Sequence, residues 1–136
     1  MSARKIDHLG IAVRDLAASS RRFEQLLGAV PGGEEEVKAE QVKVKFFTVG
    51  ESRFELLEPT GPGSAIAKFL EKRGEGIHHV CLRVDDVAAE VARLRADGFE
   101  FVGDAPRPGA GGHKVAFIHP RSAGGILVEL SEAPHH

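Results

Sequence analysis

The chain has a single cysteine, Cys81, among 136 residues, so an internal disulfide framework is excluded and a reducing compartment is expected. It has no apolar run near the roughly 20 residues that a membrane-crossing helix needs. The Met-Ser-Ala-Arg-Lys start lacks the apolar core of a secretory signal. Charge of one sign is also missing. The 18 Lys and Arg against 20 Asp and Glu give a net charge of −2, too balanced for an electrostatic footprint on nucleic acid or an anionic membrane. These absences predict a cytoplasmic globular protein with no nucleic-acid or membrane partner. Its 42% hydrophobic and 28% charged residues are ordinary for that class. The length suits one domain, or two small modules that share a core. The terminal His135-His136 are set aside because such a pair can belong to a tag.

What is present is a repeat. Ile6-Asp7-His8-Leu9-Gly10-Ile11-Ala12-Val13 returns as Ile77-His78-His79-Val80-Cys81-Leu82-Arg83-Val84. The offset is constant (79 − 8 = 71), and Asp15-Leu16 falls on Asp86-Val87 under the same shift. Each copy reads as a strand, then a helix capped by that aspartate and closed by Gly28 or Gly98. Module one spans about 5–60, a breaker and helix cover 61–75, and module two spans about 76–131. In module one the helix has Leu16, Ser19, Ser20, Phe23, Leu26 and Leu27 at helical spacing. Pro31–Glu36 reads as an acidic loop, Val42–Val49 as a half-exposed strand and Phe54–Leu57 as its hairpin return. Pro59–Gly63 breaks the chain, and Ser64 caps a helix through Arg73 with Ile66, Phe69 and Leu70 inward. Module two is expected as strand 77–84, helix 86–97, strands near 99–102, 114–118 and 126–130, and a loop over 103–112. The fold class is therefore α+β: two tandem βαβββ modules forming one curved mixed sheet around a cleft.

Strand alternation sorts the candidate ligands. Leu9, Ile11 and Val13 share the face under the helix, so His8, Gly10 and Ala12 share the other, as do His79, Cys81 and Arg83 in the second copy. Small neighbours suggest that this face is a lined cavity and not a packed core. Glu55 and Glu129 each sit inside an apolar strand, where a carboxylate is costly unless it is paired or binds a cation. Glu58 competes with Glu55 but has the opposite parity. His8, Glu55, His79 and Glu129 make a two-nitrogen, two-carboxylate set suited to one divalent ion, with cobalt placed first and Mn, Ni, Zn and Fe also accommodated. Such a set leaves two positions open for a chelating substrate. His78 has the wrong parity and is expected to pack locally. Cys81 reads as a cavity-wall residue.

The whole chain resembles the methylmalonyl-CoA epimerase family of the vicinal oxygen chelate (glyoxalase/bleomycin resistance) superfamily. The resemblance rests on Ile6–Val13, on Phe54-Glu55-Leu56-Leu57-Glu58-Pro59, on Ile66–His79 with its Gly-Glu-Gly-Ile-His-His, on Pro106–Gly109, and on Phe117-Ile118-His119-Pro120 through Gly125–Leu130. It implies a metal-dependent isomerase, with methylmalonyl-CoA as substrate and His8, His79 and Glu129 as ligands. It places Glu55 where relatives carry Gln or Glu, and it implies a homodimer. Glu129 is then one catalytic base; the strand Val42-Lys43-Val44-Lys45 lacks the Glu that some relatives carry there, so Glu55, a water or a lysine could serve the opposite face. The loop with Arg107, Gly111, Gly112 and Lys114 is expected to meet the CoA phosphates, and Arg83 either the substrate carboxylate or a structural partner. The rival expectations are a lactoylglutathione lyase-type isomerase, an extradiol dioxygenase and a metal-free drug-binding protein of the same fold.

Overall fold

The computed structural model describes residues 3–28, 31–109 and 112–132. The sequence of elements begins twice with the same device. In α1 (Leu16–Leu27) the Asp15 side chain accepts the Ala18 N–H, and in α3 (Val87–Ala96) Asp86 accepts the Ala89 N–H, both at 3.1 Å. Each satisfies a backbone donor that the helix itself cannot, a contribution of about 1 kcal/mol. Gly28 ends α1 in the left-handed region (φ 63°), which a side chain would resist. The third helix, α2 (Ala65–Arg73), is capped by Ser64, which accepts the Ile66 N–H at 3.1 Å. None of the helices is long and apolar enough to cross a membrane, among the described residues.

The chain divides into two compact units, residues 8–78 and residues 3–7 with 79–132. In the first, the strand order is β2 (Gly33–Val37), β3 (Val42–Val49), β4 (Ser52–Pro59) and then β1 (Ala3–Ala12), which joins it from His8 onward. The first two pairings are antiparallel, and β4 runs parallel to β1 with Gly10 opposite Glu55. One sheet face packs Val13, Phe47 and Leu56 against Leu16 of α1. The other packs Ala12, Val42, Val44 and Leu57 against Ile66 and Leu70 of α2. The face bearing His8 is therefore a closed core at its Ala12 end, where small residues suggested a cavity along its whole length. Leu26 also departs from expectation: it is 71% exposed on α1.

The second unit repeats the arrangement with β5 (Gly76–Val84, joining from His79), β8 (Leu127–Glu132), β7 (Lys114–Ile118) and β6 (Arg107–Pro108). Here β5 and β8 are parallel and the other neighbours antiparallel. Its core packs Val84, Ala116, Ile118 and Leu130 against Val87, Val91 and Leu94 of α3. Asp7 is buried and accepts from Arg83 Nη2 at 2.8 Å.

Two strands fall outside the reading of the sequence. Residues 33–37, expected as loop, form the edge strand β2. Residues 99–102, expected as strand, supply only a single bridge from Phe101 to Ile118, and the short strand lies at Arg107–Pro108 instead.

A second pair of acids braces the repeat. Glu58 Oε1 accepts the Leu16 N–H at 2.9 Å, and Glu132 Oε1 accepts the Val87 N–H at 3.3 Å. Each ties the end of a strand to the first residue of a helix, where negative charge is favoured. Glu132 is buried, so Glu132→Ala is expected to cost about 2 kcal/mol, the range for losing a charged hydrogen bond. Urea denaturation measures it.

Candidate functional site

Each unit presents one histidine and one glutamate on the sheet face away from its aspartate-capped helix, α1 or α3. In the first, β1 carries His8 and β4 carries Glu55, and His8 Nδ1 lies 3.3 Å from Glu55 Oε2. In the second, β5 carries His79 and β8 carries Glu129, and His79 Nε2 lies 3.5 Å from Glu129 Oε1. All four side chains are 10–14% exposed. Burying carboxylates to this degree requires partners, because desolvation otherwise outweighs any packing gain.

These distances also test whether the donors fit a metal. Donors on neighbouring positions of one ion, at bond lengths of about 2.1 Å, stand roughly 3.0–3.4 Å apart. The first pair, at 3.3 Å, falls within that spacing, and the second, at 3.5 Å, is within 0.1 Å of it. Imidazole and carboxylate together suit borderline and hard divalent ions.

Alternation along the strands accounts for the placement. On β8, Leu127, Glu129 and Ser131 share one face, while Val128, Leu130 and Glu132 turn toward α3. On β4, Arg53, Glu55 and Leu57 share one face and Leu56 and Glu58 the other, so Glu58 braces α1 and does not compete with Glu55. On β3, Lys45 stands opposite Leu56 and Lys43 opposite Glu58, which puts both lysines on the helix side, away from Glu55. His78 packs edge-on against Phe69, with ring centroids 5.1 Å apart, and burial lowers its pKa from the usual 6.5. Arg83 is engaged by Asp7 through Nη2 (2.8 Å), the structural partner that the sequence offered as one alternative.

Two features were absent from the sequence reading, one shared by both halves and one confined to the first. Phe46 stands directly across from Glu55, and Phe117 directly across from Glu129. An arginine lies over each ring: Arg53 at 5.7 Å from the centroid of Phe46 and Arg107 at 4.7 Å from that of Phe117. The two phenylalanines keep the repeat's offset (117 − 46 = 71), so carrying the alignment past the helices would have found them. The second feature is Arg53 Nη2, which donates to Glu55 Oε2 at 2.8 Å.

The basic loop forms a shallow groove of about 240 Å³ lined by Pro106, Arg107, Pro108, Gly112, His113 and Lys114. It contains three of the four residues expected there, and Gly111 lies outside the described residues. The His113 Nδ1–H donates to the Glu132 carbonyl at 2.8 Å, which fixes its tautomer because a carbonyl only accepts. The His119-Pro120 motif opens a 3₁₀ turn in which His119 Nδ1 accepts the Arg121 N–H at 3.2 Å. Gly124 and Gly125 complete the turn at positive φ (68° and 93°).

The family model described as Glyoxalase/Bleomycin resistance protein/Dioxygenase superfamily matches residues 7–117. An ethylmalonyl-CoA/methylmalonyl-CoA epimerase from Cereibacter sphaeroides is 41% identical over 94% of this chain and 97% of its own length. A methylmalonyl-CoA epimerase structure from Mycobacterium tuberculosis is 36% identical, with a TM-score of 0.87 over 98% of this chain and 90% of that one. A Streptomyces coelicolor methylmalonyl-CoA epimerase variant, solved with 2-nitronate-propionyl-CoA, is 35% identical, with a TM-score of 0.87 over 97% of this chain and 96% of that one. With the superfamily's model covering most of its length and relatives this similar end to end, the chain belongs to the glyoxalase/bleomycin resistance/dioxygenase superfamily.

Proposed function

We propose that this protein is a metal-dependent epimerase that interconverts (R)- and (S)-methylmalonyl-CoA, with His8, Glu55, His79 and Glu129 as the ligands of one divalent ion. The observation that carries the reading is the repeated histidine–glutamate pair at ligand spacing, in a chain 41% identical to an epimerase along nearly all of its length. Cobalt is the first choice, and the same donor set accommodates Mn, Ni, Zn or Fe.

The substrate's C2 proton lies between a thioester carbonyl and a carboxylate, and losing it puts negative charge on the thioester oxygen. A divalent ion held by the four residues supplies Lewis-acid stabilisation of that charge. Glu129 is the acid–base group of one face, where it takes the C2 proton, and a water delivers a proton to the opposite face, which completes the inversion; in the reverse direction the two exchange roles. Glu55 Oε2 already accepts from Arg53, which fits Glu55 to ligation more than to a second proton transfer. Lys43 and Lys45, on the helix side of β3, are not candidates for the second face.

The CoA phosphates are assigned to the groove beside β6, where Arg107 and Lys114 supply charge, with Gly111 and Gly112 of the same loop as the other proposed contacts. The groove is too small for the whole cofactor moiety but not for a phosphate. Arg107→Ala with Lys114→Ala is expected to raise KM about tenfold with kcat little changed, the mark of binding energy used equally in ground and transition states. Steady-state kinetics at two salt concentrations checks it.

The proposal includes a homodimer in the cytoplasm. Leu26 and Ile77 are 71% and 57% exposed, apolar surface that a second copy would cover.

The deciding experiment follows the C2 proton of methylmalonyl-CoA by NMR in D2O with cobalt-loaded protein. Exchange accompanied by appearance of the other epimer is expected. Absence of exchange, with turnover of a glutathione hemithioacetal instead, would replace the epimerase reading with a lyase-type isomerase.

A further inference from the structure

The two halves repeat a ligand glutamate and a phenylalanine directly across from it, and Arg53 adds an ion pair inside the first half. Its Nη2 donates at 2.8 Å to Glu55 Oε2, the same oxygen that lies 3.3 Å from His8 Nδ1. Its guanidinium is held over the Phe46 ring, and Phe46 stands opposite Glu55 on the neighbouring strand. Arg53 and Glu55 are two apart on β4 and so share a face. The acid is 13% exposed and the arginine 40%, and the guanidinium lies over a ring, so the charge reaching Glu55 is held by stacking and not left to a freely moving side chain.

From this arrangement we infer that Arg53 is a positioning residue that cancels the charge of Glu55, so that the first half offers the metal an electrically neutral oxygen donor. The inference rests on the metal reading given above. Its chemical sense lies in the charge balance. A divalent ion with two uncompensated carboxylates is already neutral before an anionic substrate arrives. With one carboxylate cancelled, the ion and its ligands keep a net positive charge. The developing charge on the substrate then meets attraction and not neutrality.

The experiment measures Co²⁺ binding by isothermal titration calorimetry for wild type, Arg53→Met, Arg53→Lys and the double variant Arg53→Met/Glu55→Gln, alongside C2 exchange. Freeing the carboxylate from its cation in Arg53→Met is expected to tighten Co²⁺ about tenfold and to slow exchange. Arg53→Lys keeps the charge and is expected to bind as wild type does. The double variant, whose amide is neutral by itself, is expected to return both binding and exchange toward wild type. If Arg53→Met does not fold, Arg53→Gln takes its place with the same expectation.

Weaker or unchanged Co²⁺ binding in the single variant, or no recovery in the double, overturns the role assigned to Arg53 and leaves the metal site standing. Failure of the wild type to bind Co²⁺ at all overturns the metal reading, and the inference with it.

Discussion

Removing divalent ions with a chelator should abolish C2 proton exchange of methylmalonyl-CoA, cobalt should restore it, and His79→Ala should prevent that restoration. The expected loss is about 10³-fold, because charge stabilisation at a developing oxyanion is commonly worth 10² to 10³ for one element and the ion also orients the substrate. The location of His79 makes the variant informative. Its imidazole is buried beside Glu129 Oε1 (3.5 Å) and lies opposite Leu127 in the parallel pairing of β5 with β8. Truncation removes one of the four proposed donors and leaves the α3 core untouched, since Val80, Leu82 and Val84 occupy the other face of the strand. Circular dichroism should therefore match wild type while calorimetry shows weakened cobalt binding. Full exchange in chelated protein would end the metal-dependent mechanism.

Glu129→Gln should separate ligation from proton transfer. The amide keeps an oxygen donor but does not accept a proton at neutral pH, so cobalt binding should weaken only modestly. Exchange at C2 should fall by about 10²–10⁴, the usual contribution of a positioned acid–base group. Glu129 lies opposite Phe117 and beside Cys81 in register, a setting where an isosteric amide is accommodated without repacking. Single-turnover exchange with and without saturating cobalt distinguishes the two effects. Unchanged exchange in the cobalt-loaded variant would move the base to another residue. A loss wholly reversed by more cobalt would make Glu129 a ligand only.

The repeat and the facing of each strand could be read directly, because alternation on β1, β4, β5 and β8 follows from a period of two wherever one face is buried. That is why His8, Glu55, His79 and Glu129 emerged from the sequence, and why His78 was set apart from them. The edge strand β2 was hidden because its pairing is electrostatic: Glu34 and Glu36 stand opposite Lys45 and Lys43, which leaves no hydrophobic alternation to detect. Arg107–Pro108 was hidden for a related reason, since proline in a strand is tolerated only at an edge and reads as a breaker. Ala12 misled because a small residue can line a cavity or sit under a helix, and only the course of α2 decides between them. Arg53 was accessible through parity with Glu55, but the geometry of its bond depends on how the side chain settles over Phe46.

Glu55 with Glu58, and Glu129 with Glu132, form a Glu-Leu-X-Glu cassette in which an odd spacing sends the two acids to opposite sides of the sheet. Sliding either strand by one residue would exchange those sides, turning the histidine-facing acid toward a helix tip and the anchoring acid toward the imidazole. Misregistration is thus penalised twice, once in chemistry and once in stability. A gene duplication that copied the four-residue cassette intact would have delivered a histidine-facing acid and its alignment lock together.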